Sequence, residues 1–183
     1  MNYAGFWRRS IAVTLDTIVL GGVYALLDVF LKLDFAILSA IYYAIAAAYY
    51  IAMTSSKYQG TLGQMIMNIK IGDIARYRLS ISQSSFRYIL SIVPMIPVMY
   101  ITITPYFGEL MSTMEQAENL SPEELQAYFE SPSVIEQTGK AMLVSTATCI
   151  LSLIWFLPIA FTKEKTGLHD LISKQRAFNM SEQ

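Results

Sequence analysis

Apolar residues run in four long segments along the chain, separated by shorter polar stretches. A helix needs about 20 apolar residues to cross the hydrocarbon core of a bilayer. Segments of that length lie at about 10–33, 35–53, 86–104 and 140–162. The pattern predicts an all-α membrane protein with four transmembrane helices, of which the first two form a hairpin because only a short turn separates them.

The polar segments between these spans contain shorter patterns of their own. The stretch "QGTLGQMIMNIKIGD" has turn and cap residues at Gly60, Thr61 and Gly63, and apolar residues then follow at helical spacing. This predicts a short amphipathic helix in the membrane interface. Alternation on either side of Gly72 and Asp73 is consistent with a small β-hairpin.

The C-terminal tail repeats this arrangement. "KTGLHDLISKQRAF" also begins with Thr and Gly, continues through about two apolar turns and ends in an extended piece. It therefore predicts a second interfacial helix. We infer a weak internal duplication in which a hairpin plus an interfacial helix occurs twice in parallel. The two helix starts are also candidates to bind a lipid headgroup phosphate.

Small residues form a stripe along the second span, at positions four apart: Ala36, Ala40, Ala44, Ala48 and Ala52. Such small-xxx-small stripes let helix backbones approach closely in membranes. The stripe predicts a helix-packing face.

The segment 105–139 carries seven glutamates and neither lysine nor arginine. We interpret it as an external acidic loop inserted into a single membrane domain that covers residues 1–183. Within it, Ser121, Pro122 and Glu124 have the order of a capping box with proline at the first helical position. A short acidic helix is expected there.

Charge placement predicts the orientation. Basic residues concentrate at the N-terminus, in the 54–85 loop and in the C-terminal tail, whereas the opposite side has only Lys32 and Lys140. Because loops rich in lysine and arginine stay in the cytoplasm, both termini are predicted to be cytoplasmic.

Composition removes several classes of function. The chain is 54% hydrophobic and 15% charged, whereas soluble domains average about 25% charged. The net charge of −1 gives no reason to expect nucleic acid as a partner. One cysteine and one histidine allow no internal disulfide and no metal cluster. We find no nucleophile–base pair and no phosphate-binding glycine loop, so we expect no enzyme activity and no cofactor.

An aspartate in the first span needs an explanation. Asp16 shares a helix face with Arg9, and a carboxylate inside a span costs about 2.5–3.5 kcal/mol on insertion scales. In a structural interpretation, the carboxylate accepts hydrogen bonds from Arg9, Arg87, Thr14 or another group. In a functional one, it binds a cation or carries a proton. The tail pair His169 and Asp170 can form charge-assisted bonds with an arginine at the same end of the bundle.

The segments "FWRRSIAVTLD", "GTLGQMIMNIKI" and "TGLHDLISKQRAF" together resemble the RDD family of bacterial membrane proteins, named for one arginine and two aspartates. The resemblance places these residues at Arg9, Asp16 and Asp170. Gln64 stands where the family often has a basic residue. The resemblance implies an inner-membrane protein related to transport, with cation–proton exchange proposed for some members.

Two functions therefore stay open. In the first, the chain transports a small cation or proton, with Asp16 as the site and with Arg9 and Asp170 controlling it. In the second, it is a non-transporting scaffold or accessory subunit, and the three residues form a structural clamp. Four spans are few to enclose a pathway, so we expect a homo-oligomer or a partner membrane protein within the lipid bilayer.

Overall fold

A computed structural model describes residues 3–103 and 121–180 of the chain. Helix α1 (Phe6–Leu31) and helix α2 (Phe35–Ser55) form a hairpin. Lys32 ends α1 in the left-handed conformation, and the carboxylate of Asp34 accepts a hydrogen bond from the backbone N–H of Ala36 to begin α2. The further elements are α3 (Leu62–Ile66), β1 (Ile69–Asp73), α4 (Ile81–Ile92), α5 (Ile96–Ile103), α6 (Pro122–Phe129), α7 (Pro132–Phe156), α8 (Pro158–Phe161), α9 (Leu168–Ser173) and β2 (Gln175–Asn179).

Three helical segments are long and apolar enough to cross a membrane: Phe6–Leu31, Phe35–Ser55 and Pro132–Phe161. They correspond to the first, second and fourth predicted spans. The last begins eight residues before the predicted position 140, so it takes up the end of the segment predicted as an external loop. Inside that segment the capping box at Ser121 forms as expected and begins α6.

The third predicted span, about 86–104, is not one continuous helix. It begins earlier, at Ile81, where Ser80 caps α4 through a capping box with Gln83. A 3₁₀ turn at Val93–Met95 then separates α4 from α5. Pro94 lies in this turn, and proline has no N–H to donate to the preceding helical turn. Residue 104 lies outside the described residues.

The predicted local hairpin around Gly72 is wrong. Strand β1 pairs in antiparallel fashion with β2 from the C-terminal tail, with Ile69 opposite Asn179 and Asp73 opposite Gln175. Alternation predicts that a segment is extended, but it does not identify the partner strand. The extended piece predicted for the tail is this partner.

The backbone supports the internal duplication for the two short helices and the strands that follow them. Each residue around α3 corresponds to a residue around α9, and the sequence separation within these pairs is constant. The N-caps Thr61 and Gly167 form one such pair, and both helices are followed by strands of five residues. Left-handed residues flank both helices at the same places, with φ of 54° and 55° at Gln59 and Asn68, and 51° and 55° at Lys165 and Lys174.

The two strands pair symmetrically about this duplication. At the same spacing, Ile71 of β1 matches Ala177 of β2, and these two residues are directly opposite each other in the sheet. If each residue is replaced by its match in the other half, the pair of Ile69 and Asn179 becomes the pair of Gln175 and Asp73. A pseudo-two-fold axis therefore passes through the pair of Ile71 and Ala177.

The alanine stripe of α2 does not pack as predicted. Ala40, Ala44, Ala48 and Ala52 are exposed, and Ala36 is only partly buried. The buried residues of α2 are Leu38, Ser39, Ala46 and Thr54. Within the described chain, α2 thus buries a different face, on which Ser39 and Ala46 are the small residues.

Helix α3 lies unusually close to α1. A Cβ atom built at Gly63 would be 2.1 Å from the carbonyl oxygen of Ala12, so only glycine fits at this contact. Ala12 itself is buried in the core with Ile69 and Ile71 of β1. The close approach therefore links the first span to the sheet.

We predict that Gly63→Ala lowers the free energy of unfolding by about 1–3 kcal/mol, because the added methyl group would push backbone against backbone. Gly22→Ala is the matched control: Gly22 lies inside α1 with open space around it, and alanine favours helix. Denaturant unfolding of both variants in detergent micelles measures the difference. Equal stabilities would contradict the proposed contact.

Candidate functional site

The side chain of Asp16 is completely buried, and its partners come from α2 and α3. Oδ1 accepts hydrogen bonds from the hydroxyl of Tyr49 at 2.7 Å and from the backbone N–H of Gly63 at 2.8 Å. Oδ2 accepts one from the hydroxyl of Thr61 at 2.5 Å. Protein donors thus bind both carboxylate oxygens.

These contacts place the carboxylate at the N-terminus of α3. Thr61 is the N-cap, and Tyr49 accepts a hydrogen bond at 2.9 Å from the backbone N–H of Leu62, the first helical residue. Helix N-termini leave backbone N–H groups without partners and favour negative charge. Gln64 completes the capping box by accepting from the backbone N–H of Thr61.

Asp170 is the centre of a second cluster, and it also has no exposed surface. The guanidinium of Arg9 donates to Oδ2 at 2.5 Å, and that of Arg87 forms an ion pair with Oδ1. Arg9 also donates to the backbone carbonyl oxygens of Ala4 at 2.9 Å and Lys165 at 2.6 Å. The carboxylate of Asp170 thus links α9 to α1 and α4, and Arg9 also binds the segment before α9.

Asp170 stays ionised in this cluster. Burial by itself would raise the pKa of the carboxyl group, but the positive charges of Arg87 and Arg9 outweigh it and hold the pKa well below its usual value. The carboxylate also accepts from the backbone N–H of Gly167 at 3.3 Å, so it caps its own helix.

His169 is buried beside this cluster, with Nε2 3.3 Å from Oδ1 of Asp170 and its ring against Phe156. Burial lowers the pKa of the imidazole to about 4, and the nearby arginines Arg87 and Arg9 add to this effect, although Asp170 opposes it. His169 is therefore neutral near pH 7.

Arg9, Asp16 and Asp170, which the sequence analysis expects to act together, lie in two separate clusters. Arg9 and Asp16 share a face of α1, but Arg9 contacts Asp170, whereas Asp16 contacts the N-terminus of α3. The suggested donors Arg9, Arg87 and Thr14 do not bond to Asp16: Thr14 donates to the carbonyl oxygen of Ser10. The predicted cap residues Thr61 and Gly63 belong to the Asp16 cluster. Arg87 and His169 belong to the Asp170 cluster.

The sequence analysis missed Tyr49 as a partner of Asp16. Six tyrosines lie in or beside the first two spans and α4, and no local pattern distinguishes the one that reaches α3: Tyr24, Tyr42, Tyr43, Tyr49, Tyr50 and Tyr88. The backbone acceptors of Arg9 carry no sequence signal at all.

The expected phosphate sites at the two helix starts are not free. At α3 the carboxylate of Asp16 takes the N–H group of Gly63. At α9 the carboxylate of Asp170 takes that of Gly167. An anion at either position would have to displace a buried carboxylate. Among the residues that the structure describes, no group of three or more metal-ligating side chains could hold a metal ion.

A sequence model described as the RDD family matches residues 3–174. The chain belongs to the RDD family. No curated protein and no solved structure matches it. In this RDD protein, the arginine and the second aspartate form one ion pair, and the first aspartate binds a different helix start.

We predict that the stability of this RDD protein falls as the pH decreases from about 6.5 to 5. The pKa of His169 is near 4 when folded, so the unfolded chain binds a proton that the folded chain excludes. The free energy of unfolding is therefore unaffected by His169 well above pH 6.5, where the imidazole is neutral in both states. Below pH 6.5 it falls by at most about 1.4 kcal/mol per pH unit. Because His169 is the one histidine of the chain, His169→Gln should flatten the profile. An unchanged slope in thermal unfolding would contradict a neutral imidazole.

We further predict that Arg9→Gln costs about 3–5 kcal/mol of stability, since it breaks a buried ion pair and leaves two backbone carbonyl groups without their donor. Arg8→Gln is the neighbouring control, in which a hydrogen bond to Asn179 at 2.7 Å is lost. That bond is worth only about 0.5–1.5 kcal/mol. Denaturant unfolding in micelles compares the two, and a larger loss for Arg8→Gln would refute the assignment.

Proposed function

We propose that this RDD protein crosses the membrane four times, with α4 and α5 together as the third crossing. Residues 81–103 form helices on both sides of one 3₁₀ turn. At about 1.5 Å per residue they extend roughly 34 Å, which matches a hydrocarbon core of about 30 Å. Prolines are tolerated in such spans when neighbouring helices pack against the break, and α7 contacts this turn.

We place both termini in the cytoplasm of a bacterial inner membrane. The N-terminal residues Tyr3 and Ala4 bond to β2, so the start of α1 and the tail lie at one end of the molecule. The basic residues of the three predicted cytoplasmic segments belong to this end, which supports the orientation. The short helices α3 and α9 would lie in the interface, because each exposes an apolar pair at matched positions: Met65 and Ile66, and Leu171 and Ile172.

The function that the geometry supports best is that of a membrane scaffold or accessory subunit, without enzyme activity. The observation that carries this proposal is the sealing of Asp16 and Asp170, which have no exposed surface and bond to protein donors. An ion or proton site in a transporter needs access to water from at least one side. A carboxylate saturated by backbone and hydroxyl donors holds helices together instead. Such a subunit would act with a second copy or a partner membrane protein.

The second candidate is transport of a small cation coupled to protons. It is supported by the position of Asp16 inside a spanning helix, where no basic side chain among the described residues is bonded to it. Intramembrane carboxylates of this kind often carry protons. This candidate requires an open conformation in which Asp16 separates from Gly63 and meets water.

Asp16→Asn distinguishes the two candidates. For a structural clamp we expect the free energy of unfolding to fall by about 1–3 kcal/mol, because the amide cannot accept all three hydrogen bonds. We also expect neither the wild type nor the variant to move protons or cations across liposomes. Asp28→Asn is the control, since Asp28 lies on the same helix but is exposed.

The measurements are denaturant unfolding in micelles and ion flux in proteoliposomes. If the wild type shows proton-coupled cation flux that Asp16→Asn abolishes while stability stays unchanged, the clamp proposal fails and transport replaces it.

A further inference from the structure

A cavity of about 560 Å³ opens where the end of β1, the first turn of α4 and the junction of α9 and β2 meet. Small-molecule sites commonly measure roughly 300–1,000 Å³. Five of its lining residues are polar: Asp73, Gln83, Ser173, Lys174 and Gln175. Neither the Asp16 cluster nor the Asp170 cluster contributes a side chain to this wall.

The wall contains a buried amide with an unused acceptor. Gln175 is only 2% exposed, and its Nε2 donates to the backbone carbonyl oxygen of Gln83 at 3.0 Å. Its Oε1 has no hydrogen-bond partner among the described residues. A buried acceptor without a partner is destabilising. Because Gln175 lines the cavity, a rotation of its side chain would present Oε1 to a ligand that donates a hydrogen bond.

The internal duplication shows that the matched backbone position can hold an apolar residue. In the first half, the residue that matches Gln175 is Ile69, which begins β1 and is 1% exposed in the apolar core. The same backbone position thus accepts a buried isoleucine on one side of the pseudo-two-fold axis. On the cavity side, an amide with one unpartnered atom takes the place of this apolar residue, which favours a binding role.

Two opposite charges lie beside this amide. Asp73 is opposite Gln175 in the sheet, and its carboxylate uses Oδ1 to accept from the backbone N–H of Tyr77 at 2.8 Å. A carboxylate has room for further donors. Lys174 precedes Gln175, and its matching residue in the first half is the uncharged Asn68, with the same φ of 55°.

We propose that the cavity binds a small zwitterion that carries a primary ammonium group and an anionic group, as phosphoethanolamine does. The ammonium group donates hydrogen bonds to Oε1 of Gln175 and to the carboxylate of Asp73. The anionic group pairs with the ammonium of Lys174. The source of this ligand is either a soluble compound or the headgroup of a phosphatidylethanolamine lipid, which has the same chemistry.

Calorimetric titration of the full chain in maltoside micelles with phosphoethanolamine tests the proposal. Phosphocholine is the matched ligand control: its methylated nitrogen has no N–H to donate, so we expect it to bind at least about tenfold more weakly. Inorganic phosphate and ethanolamine each supply one half of the zwitterion and should also bind more weakly.

Variants that copy the first half of the chain provide the protein controls. Gln175→Ile and Lys174→Asn place there the residues that the matched positions already accommodate. Each should weaken phosphoethanolamine binding at least about tenfold. Lys174→Asn should leave thermal unfolding close to wild type, whereas Gln175→Ile also removes the hydrogen bond to the carbonyl oxygen of Gln83 and should lower the stability. Lys70→Asn removes the same charge from an exposed site on β1, outside the cavity, and should bind as wild type does.

Nanodiscs identify the source. If the ligand is a lipid headgroup, discs of phosphatidylethanolamine should abolish the titration that discs of phosphatidylglycerol retain. If it is a soluble compound, both discs should give the same titration. The proposal is overturned if phosphoethanolamine does not bind in micelles, if phosphocholine binds equally well, or if both cavity variants bind like wild type.

Discussion

The structure depends on two buried carboxylates, each of which accepts a backbone hydrogen bond at the N-terminus of a very short helix. Helices α3 and α9 have five and six residues, whereas isolated helices shorter than about 12 residues are marginal in water. Asp16 supplies the missing acceptor for α3 from a neighbouring helix, and Asp170 supplies it for α9 from within the helix itself. Each carboxylate thereby connects a helix start to the membrane bundle, and without these bonds the short segments would have little reason to be helical.

The two duplicated halves have the same backbone conformation, but their charged residues differ. Position three of the short helix is Gln64 in the first half and Asp170 in the second. The glutamine completes a neutral capping box, so the negative charge at α3 comes from Asp16. Asp170 instead attracts Arg9 and Arg87 from two different helices. The pseudo-two-fold axis thus relates the chain path, while the ion pairs belong to one half only.

Much of the site could be read from the residues, because hydrophobic length and the cost of an intramembrane carboxylate are local properties. The spans of α1 and α2, the capping box at Ser121 and the need of Asp16 for a partner follow from such patterns, whereas the grouping of Arg9 and Asp170 with it came from the family resemblance. The pairing among these three residues follows from neither. Residues seven apart on α1 point to the same side, yet their partners lie on α3 and α9, which are distant in sequence.

The sequence by itself determined membrane insertion, family membership and the segments that become short helices and strands, since each depends on composition or on spacing over a few residues. Only the tertiary structure decided which strand pairs with β1, which tyrosine reaches Asp16 and that four of the five alanines of the stripe on α2 are exposed. Those outcomes depend on contacts between distant parts of the chain. A carboxylate accepts any donor within reach, and packing alone decides which donor is there.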